Sequence, residues 1–304
     1  MYPDSRTEEH ALITVYLNRR IGDDERRESL FQGNFFLYSG IGGANALADH
    51  AKDLIARAFG ELDPERAQYE MDVDEFIRRV EPLKGEFTNG QRTKELCQQF
   101  AIDLGVDPER TYFDIPRLRV IPADQFLTAG VSYNYKAHRD MWYGHPQQLV
   151  NYWTPVFDVV GENVMSMYTD YFDKPVKNGS NQYDYDEWVA KHRTAAADNK
   201  TADTRPHPLP LEDFDSRGEI RIAGQSGDVF MFSSNHLHAS APNTSDVTRF
   251  SYDLRTINLD DVRAGRGPKN VDSGATGTTL GDFLRVSDLA PLKADEFESA
   301  LADA

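Results

Sequence analysis

Two hydrophobic periods divide the chain. Up to about Gly105, apolar residues recur at helical spacing. Leu47, Ala51, Leu54, Ile55, Ala58 and Phe59 form one stripe, and Leu96, Cys97, Phe100, Ala101 and Leu104 form another. Asp63-Pro64-Glu65 reads as a helix start, with a capping Asp ahead of a first-turn Pro. Asp72 to Val80 predicts a further short helix, and Gly105 stands where a helix stop belongs.

Beyond Asp107-Pro108 the pattern changes to short runs of β-formers. Tyr112–Ile121 (interrupted by Pro116), Phe126–Tyr135, Gln148–Val160, Val164–Tyr168, Glu219–Ile222, Asp228–Ser233 and Arg249–Ile257 predict strands. Turn residues such as Gly161-Glu162-Asn163 and Gly224-Gln225-Ser226-Gly227 separate them. Many short strands with long connections point to a β-sandwich or jelly roll. The reading is therefore mainly β with flanking helices: a mostly helical part over 1–105, a β core over 106–257, and a loop plus terminal helix over 258–304. A polar insertion at about 169–217 has the length and composition of a lid, with a helical piece expected around Tyr185 to Ala197. The glycines between Gly265 and Gly281 lack the Lys-Ser/Thr ending of a phosphate loop.

Composition narrows the chemistry. The 304 residues carry a formal net charge of −17. That charge disfavours nucleic acid or an anionic membrane as partner. Cys97 is the single cysteine and lies on an apolar stripe, so disulfides and thiolate clusters are excluded and the thiol reads as core. No apolar run approaches a membrane span, and Met1 to Arg6 lack a signal core, so a cytoplasmic enzyme is the expectation.

The histidines supply the candidate chemistry. His138-Arg139-Asp140 follows the predicted strand ending at Tyr135, and on an extended chain residues two apart point to one side. An imidazole and a carboxylate could thus meet one ion. A second stretch, Gly227-Asp228 leading into Val229–Phe232 and then to His236-Leu237-His238-Ala239-Ser240, offers a third ligand. His238 is the preferred one and His236 the alternative, since both would point the same way on a strand. Two histidines and a carboxylate with open positions form the ligand set of non-haem Fe(II) oxygenases. On the following strand Arg249, Ser251, Asp253 and Arg255 share one face, and buried arginines beside a metal call for an anion. A dicarboxylate suits them, because guanidinium grips carboxylate with two prongs.

These motifs, over about Arg117 to Ile257, make the chain resemble the Fe(II)/2-oxoglutarate-dependent dioxygenase superfamily and, more loosely, its phytanoyl-CoA dioxygenase-like branch. The resemblance implies a double-stranded β-helix (cupin-like jelly roll) core within one oxygenase domain spanning 1–304. It implies iron on His138, Asp140 and His238, and 2-oxoglutarate and O₂ as co-substrates. Arg249, at 249 − 238 = 11 residues past the distal His, and Ser251 would hold the far carboxylate of 2-oxoglutarate. Asn151 would contact the co-substrate or make a structural hydrogen bond, as a polar group in an apolar strand must find a partner. Arg255, Tyr135 and Trp142 are assigned to a small-molecule substrate, with Arg255 pairing with Asp253 as its alternative. Tyr133, Tyr143 and Trp153 read as core or pocket wall, His145 as a loop residue, and His10, His50, His192 and His207 receive no role. The implied outcome is hydroxylation of an unactivated carbon with release of succinate and CO₂. The rival readings are a cupin-like metal enzyme without 2-oxoglutarate and a non-catalytic jelly-roll binding protein.

Overall fold

A computed structural model describes residues 12–193 and 199–297. In chain order the elements are β1 (Val15–Leu17), α1 (Asp23–Phe31), β2 (Phe35–Tyr38), α2 (Gly42–Phe59), α3 (Val73–Asn89), α4 (Gln91–Asp103), β3 (Thr111–Phe113) and β4 (Arg117–Ile121). There follow β5 (Val150–Pro155), β6 (Met165–Tyr168), α5 (Tyr185–His192), β7 (Glu219–Arg221), β8 (Val229–Ser233), β9 (His238–Ser240), β10 (Arg249–Asn258), α6 (Leu259–Ala264) and β11 (Leu284–Arg285).

A large sheet runs β1-β2-β8-β5-β10-β3-β11, with β4 also paired to β10, and a small sheet runs β7-β6-β9. Strand alternation gives the large sheet two different faces. Val150, Tyr152, Val229, Met231, Phe250, Tyr252 and Leu254 pack outward under α2, α3 and α4 in the main core. Trp153, Phe230 and Phe232 point the other way and meet Met165 and Met167 of β6. The two sheets therefore pack face to face, and the opening between them holds the site. The helical layer sits close against itself. A Cβ on Gly43 of α2 would lie 2.5 Å from the Phe100 backbone of α4, so only glycine permits this approach.

Several elements depart from the sequence reading. The helical region also supplies β1 and β2, and β2 joins the large sheet with Phe36 opposite Met231. Phe35 to Tyr38 is a short apolar run without alternation, which hides a strand buried on both faces. Phe126–Tyr135 is not a strand: Asp124, Gln125 and Gly130 all take positive φ, and Gly130–Ser132 is a 3₁₀ turn. Asp63 caps only a local turn, accepting from Glu65 N at 3.1 Å, and no α-helix follows it. The Asp72 helix starts as read, with the side chain accepting from Glu75 N, but continues to Asn89 through Pro82 because Leu83 and Phe87 extend its buried stripe. Pro116 splits Tyr112–Ile121 into β3 and β4. The expected helix at Tyr185 ends at His192, and positions 194–197 of that expectation lie outside the described residues. The tail forms α6, β11 and 3₁₀ turns, and a terminal helix beyond 297 falls outside the described residues.

Candidate metal centre

A reciprocal backbone bridge builds the site. His138 N donates to His238 O and His238 N donates to His138 O, both at 2.9 Å. The bridge seats the two imidazoles side by side, with ring centroids 4.3 Å apart. Arg139 is extended (φ −107°, ψ 146°), so His138 and Asp140 share a side although Asp140 already opens a 3₁₀ turn. The donor atoms of His138, Asp140 and His238 all lie within 4.8 Å of one another, and all three residues are buried. His138 Nδ1 lies 2.8 Å from Lys136 O, and His238 Nδ1 lies 3.0 Å from His236 O. A carbonyl only accepts, so each Nδ1 carries the proton and each Nε2 presents a lone pair. Two such imidazoles and a carboxylate fit a divalent iron with open positions.

His236 goes elsewhere. Residues 234–236 form a turn before β9, which breaks the strand alternation expected to align the two histidines. Its Nε2 donates to Gly33 O at 3.0 Å, and its ring packs on Phe35.

The carboxylate is held from behind. Asn151 Nδ2 donates to Asp140 Oδ2 at 2.6 Å, and Asn151 Oδ1 accepts from Arg255 Nε at 3.2 Å. Arg255 Nη2 lies 3.7 Å from Asp140 Oδ1, and the same guanidinium reaches Asp114 at 3.4 Å and Asp253 at 3.9 Å. Burial alone would raise the Asp140 carboxyl, but Arg255 and the histidines outweigh it and hold the group well below the usual carboxylate range. Arg255 thus touches the ligand set directly, and Asn151 makes the structural bond.

Arg139, fully buried between the two ligands, ties the loops together. It donates to Asp272 at 3.0 and 3.1 Å, to Lys174 O at 2.8 Å and to Asn235 O. Asp272 also accepts from Trp142 Nε1 at 2.7 Å and Val176 N at 2.9 Å. Trp142 is accordingly a core residue outside both cavities described below. Nothing in the sequence pattern singles out Asp272. Asp272→Ala is expected to strand a buried guanidinium and destabilise the fold by about 3 kcal/mol or more. It should weaken metal binding roughly tenfold. Thermal unfolding and metal titration check both, and an unchanged metal affinity would separate Asp272 from the centre.

Two cavities meet at the metal ligands, sharing Arg119, Tyr135, His138 and Arg255. The inner one includes His238, Trp153, Phe232 and Arg249 in its wall. Arg249 is 3 % exposed, donates Nη1 to Asn163 O at 3.0 Å, and has no carboxylate in contact among the described residues. Its Nε and the Ser251 Oγ are buried without a hydrogen-bond partner there. Desolvation pushes the Arg249 guanidinium down to about 10. The outer cavity adds Tyr143, His145, Tyr183, Tyr185, Trp188 and His207. The last four come from the 169–217 insertion and received no role in the sequence reading. The close spacing of Tyr183, Tyr185 and Trp188 within an otherwise polar stretch is the signal that could have found three of them.

Burial pushes His138 well below the ordinary histidine value, His145 and His207 to about 4, and His236 to about 3. Lowered folded values mean that the unfolded chain binds protons first. Stability is then complete above pH 6.5 and lost as pH falls from there toward 4, by up to about 1.4 kcal/mol per pH unit for each such histidine. Denaturant titrations of the metal-free protein at pH 7.5 and 5 should show this loss, and a flat profile would contradict neutral buried imidazoles.

No protein-family model and no curated protein matches the chain. Among solved structures, EvdO2 from Micromonospora carbonacea var. aurantiaca complexed with 2-oxoglutarate is 13% identical with a TM-score of 0.46, over 79% of this chain and 92% of that one. The non-heme alpha-ketoglutarate-dependent epimerase SnoN from nogalamycin biosynthesis is 13% identical with a TM-score of 0.39, over 86% and 97%. EctD from S. alaskensis is 12% identical with a TM-score of 0.40, over 80% and 81%. These likenesses are distant, and the reading below rests on the site's own geometry.

Proposed function

We propose that this chain is a non-haem Fe(II)- and 2-oxoglutarate-dependent oxygenase, hydroxylating a small metabolite. The observation that carries the reading is the buried guanidinium of Arg249, free of any carboxylate among the described residues, in the same cavity wall as His138 and His238. A generic metal site has no use for an anion trap at that place.

His138, Asp140 and His238 would hold the metal and leave positions open for co-substrate and O₂. Arg249 and Ser251 would take the far carboxylate of 2-oxoglutarate, offering the donors that otherwise stay unpaired. Asn151 and Arg255 keep Asp140 ionised and aimed. Together, Fe(II), 2-oxoglutarate and O₂ supply an oxidant able to attack an unactivated carbon, with succinate and CO₂ released. The outer cavity would seat the substrate and keep water from the metal face. The facing sheets are consistent with a double-stranded β-helix in a single domain, with 169–217 as the lid. No helix of the described residues is long and apolar enough to cross a membrane.

The test is succinate formation from 2-oxoglutarate under air with iron supplied. His238→Gln should lose the metal and the activity together, whereas His236→Gln should keep the metal. Iron bound at full stoichiometry by the His238 variant would move the centre elsewhere.

A further inference from the structure

We propose, resting on the oxygenase reading, that the outer cavity recognises a ring-bearing monocarboxylate, with its carboxylate on Arg117 and its ring among Tyr143, Tyr183 and Trp188. Three guanidiniums line this cavity, and their pairings differ. Arg119 is bound to Asp253 at 2.5 Å. Arg255 is shared between Asp114, Asp140, Asp253 and Asn151. Arg117 has only Asp114 at 3.9 Å, and its Nε is buried with no hydrogen-bond partner among the described residues. Asp114 is already engaged, since its Oδ1 accepts from Ile115 N at 2.6 Å and its Oδ2 faces Arg255. Arg117 therefore holds spare donors toward the cavity. A guanidinium fork takes a carboxylate with two prongs, and one spare positive charge balances a monoanion where a phosphate dianion would keep a charge unmatched.

The same cavity is lined by Tyr135, Tyr143, Tyr183, Tyr185 and Trp188. Tyr143 and Tyr183 meet edge to face at 5.4 Å, and Tyr185 and Trp188 stack at 6.4 Å with planes 15° apart. Tyr183, Tyr185 and Trp188 all belong to the insertion. The C-terminal tail fixes their segment: Tyr185 N donates to Thr276 O and Thr276 N donates to Tyr183 O, both at 3.0 Å. Trp188 Nε1 is a second buried donor without a partner among the described residues. An aromatic wall of this kind also suits an organic cation. Here Arg119 and Arg255 are matched by carboxylates, and the least-paired charge on the wall is the cation Arg117, which favours an anion over a second cation. Unpaired donors with apolar faces between them call for a ligand rich in acceptor oxygen and flat in its body.

The experiment is calorimetric titration with three probes sharing one ring, and it needs no turnover. The probes are 3-phenylpropanoate, its neutral amide, and the phenethyltrimethylammonium cation. In the wild-type chain the carboxylate should bind roughly tenfold or more tightly than the other two. Arg117→Gln should erase that preference and leave the amide unchanged. Arg249→Met, which disables the inner anion trap, should retain it. Tighter binding of the ammonium or the amide would overturn the proposal, as would failure of all three probes to bind. So would a preference lost in Arg249→Met but kept in Arg117→Gln, which would place the carboxylate in the inner cavity. Because the probes are read without metal or 2-oxoglutarate, failure here is distinct from failure of the oxygenase reading, which metal titration decides.

Discussion

Arg249→Met should bind 2-oxoglutarate at least a hundredfold more weakly than the wild type and yet, in the absence of ligands, be the more stable protein. The two effects have one cause. A guanidinium pushed down to about 10 by desolvation sits where its charge is disfavoured by roughly 3 kcal/mol. In contact, Arg249 has one backbone carbonyl, that of Asn163, and the face of Trp153 at 5.8 Å. Methionine keeps much of the side-chain volume and removes the charge, so the loss of one hydrogen bond is outweighed. Function is lost because the far carboxylate would then enter a cavity stripped of its one guanidinium without a carboxylate partner among the described residues. Stability given up for a preorganised charge is a mark of binding sites. Denaturant unfolding and 2-oxoglutarate titration of the same variant measure both sides. A destabilised variant that still binds 2-oxoglutarate would make Arg249 a structural residue.

Asp140→Ala should lower iron affinity by more than about a hundredfold, beyond the effect of losing a supporting residue. Asp140 is the only anion in the proposed triad, and its Oδ1 lies 3.7 Å from Arg255 Nη2. Without it the guanidinium charge adds repulsion to the missing bond. The fold should survive, since Arg255 retains Asp114 and Asp253. Asn151 Nδ2 loses its acceptor, at a cost of about 1–3 kcal/mol. Calorimetric iron titration against thermal unfolding separates the two losses. Iron bound with wild-type affinity would remove Asp140 from the ligand set.

The clustering of the candidate triad was legible because its first two members are local. His138 and Asp140 are two residues apart, and the extended Arg139 between them is all the geometry they need. The face of β10 was legible for the same reason: alternation placed Arg249, Asp253 and Arg255 together, and all three line the inner cavity. What could not be read was long-range. The partners of Arg255 come from β5, from the loop between β3 and β4, and from the ligand loop, so its bond to Asp140 appears only in the fold. Trp142 stood beside the motif in sequence, yet its indole turns to Asp272, 130 residues away. His207 was passed over because it sits between two prolines in a long, mostly polar stretch, while its neighbours in space are Tyr133, stacked at 4.0 Å, and Tyr143. Phe126–Tyr135 failed as a strand because composition favoured extension while the positive φ of Gly130 and the 3₁₀ turn it opens forbade it.

The central claim is that iron and 2-oxoglutarate share one site. It is tested most directly by anaerobic calorimetric titration of 2-oxoglutarate into the wild-type chain with and without Fe(II). The account predicts binding that is at least tenfold tighter with iron present, because only then can the keto-acid end be held as well as the far carboxylate. Equal affinity with and without iron, or no binding in either state, would contradict it.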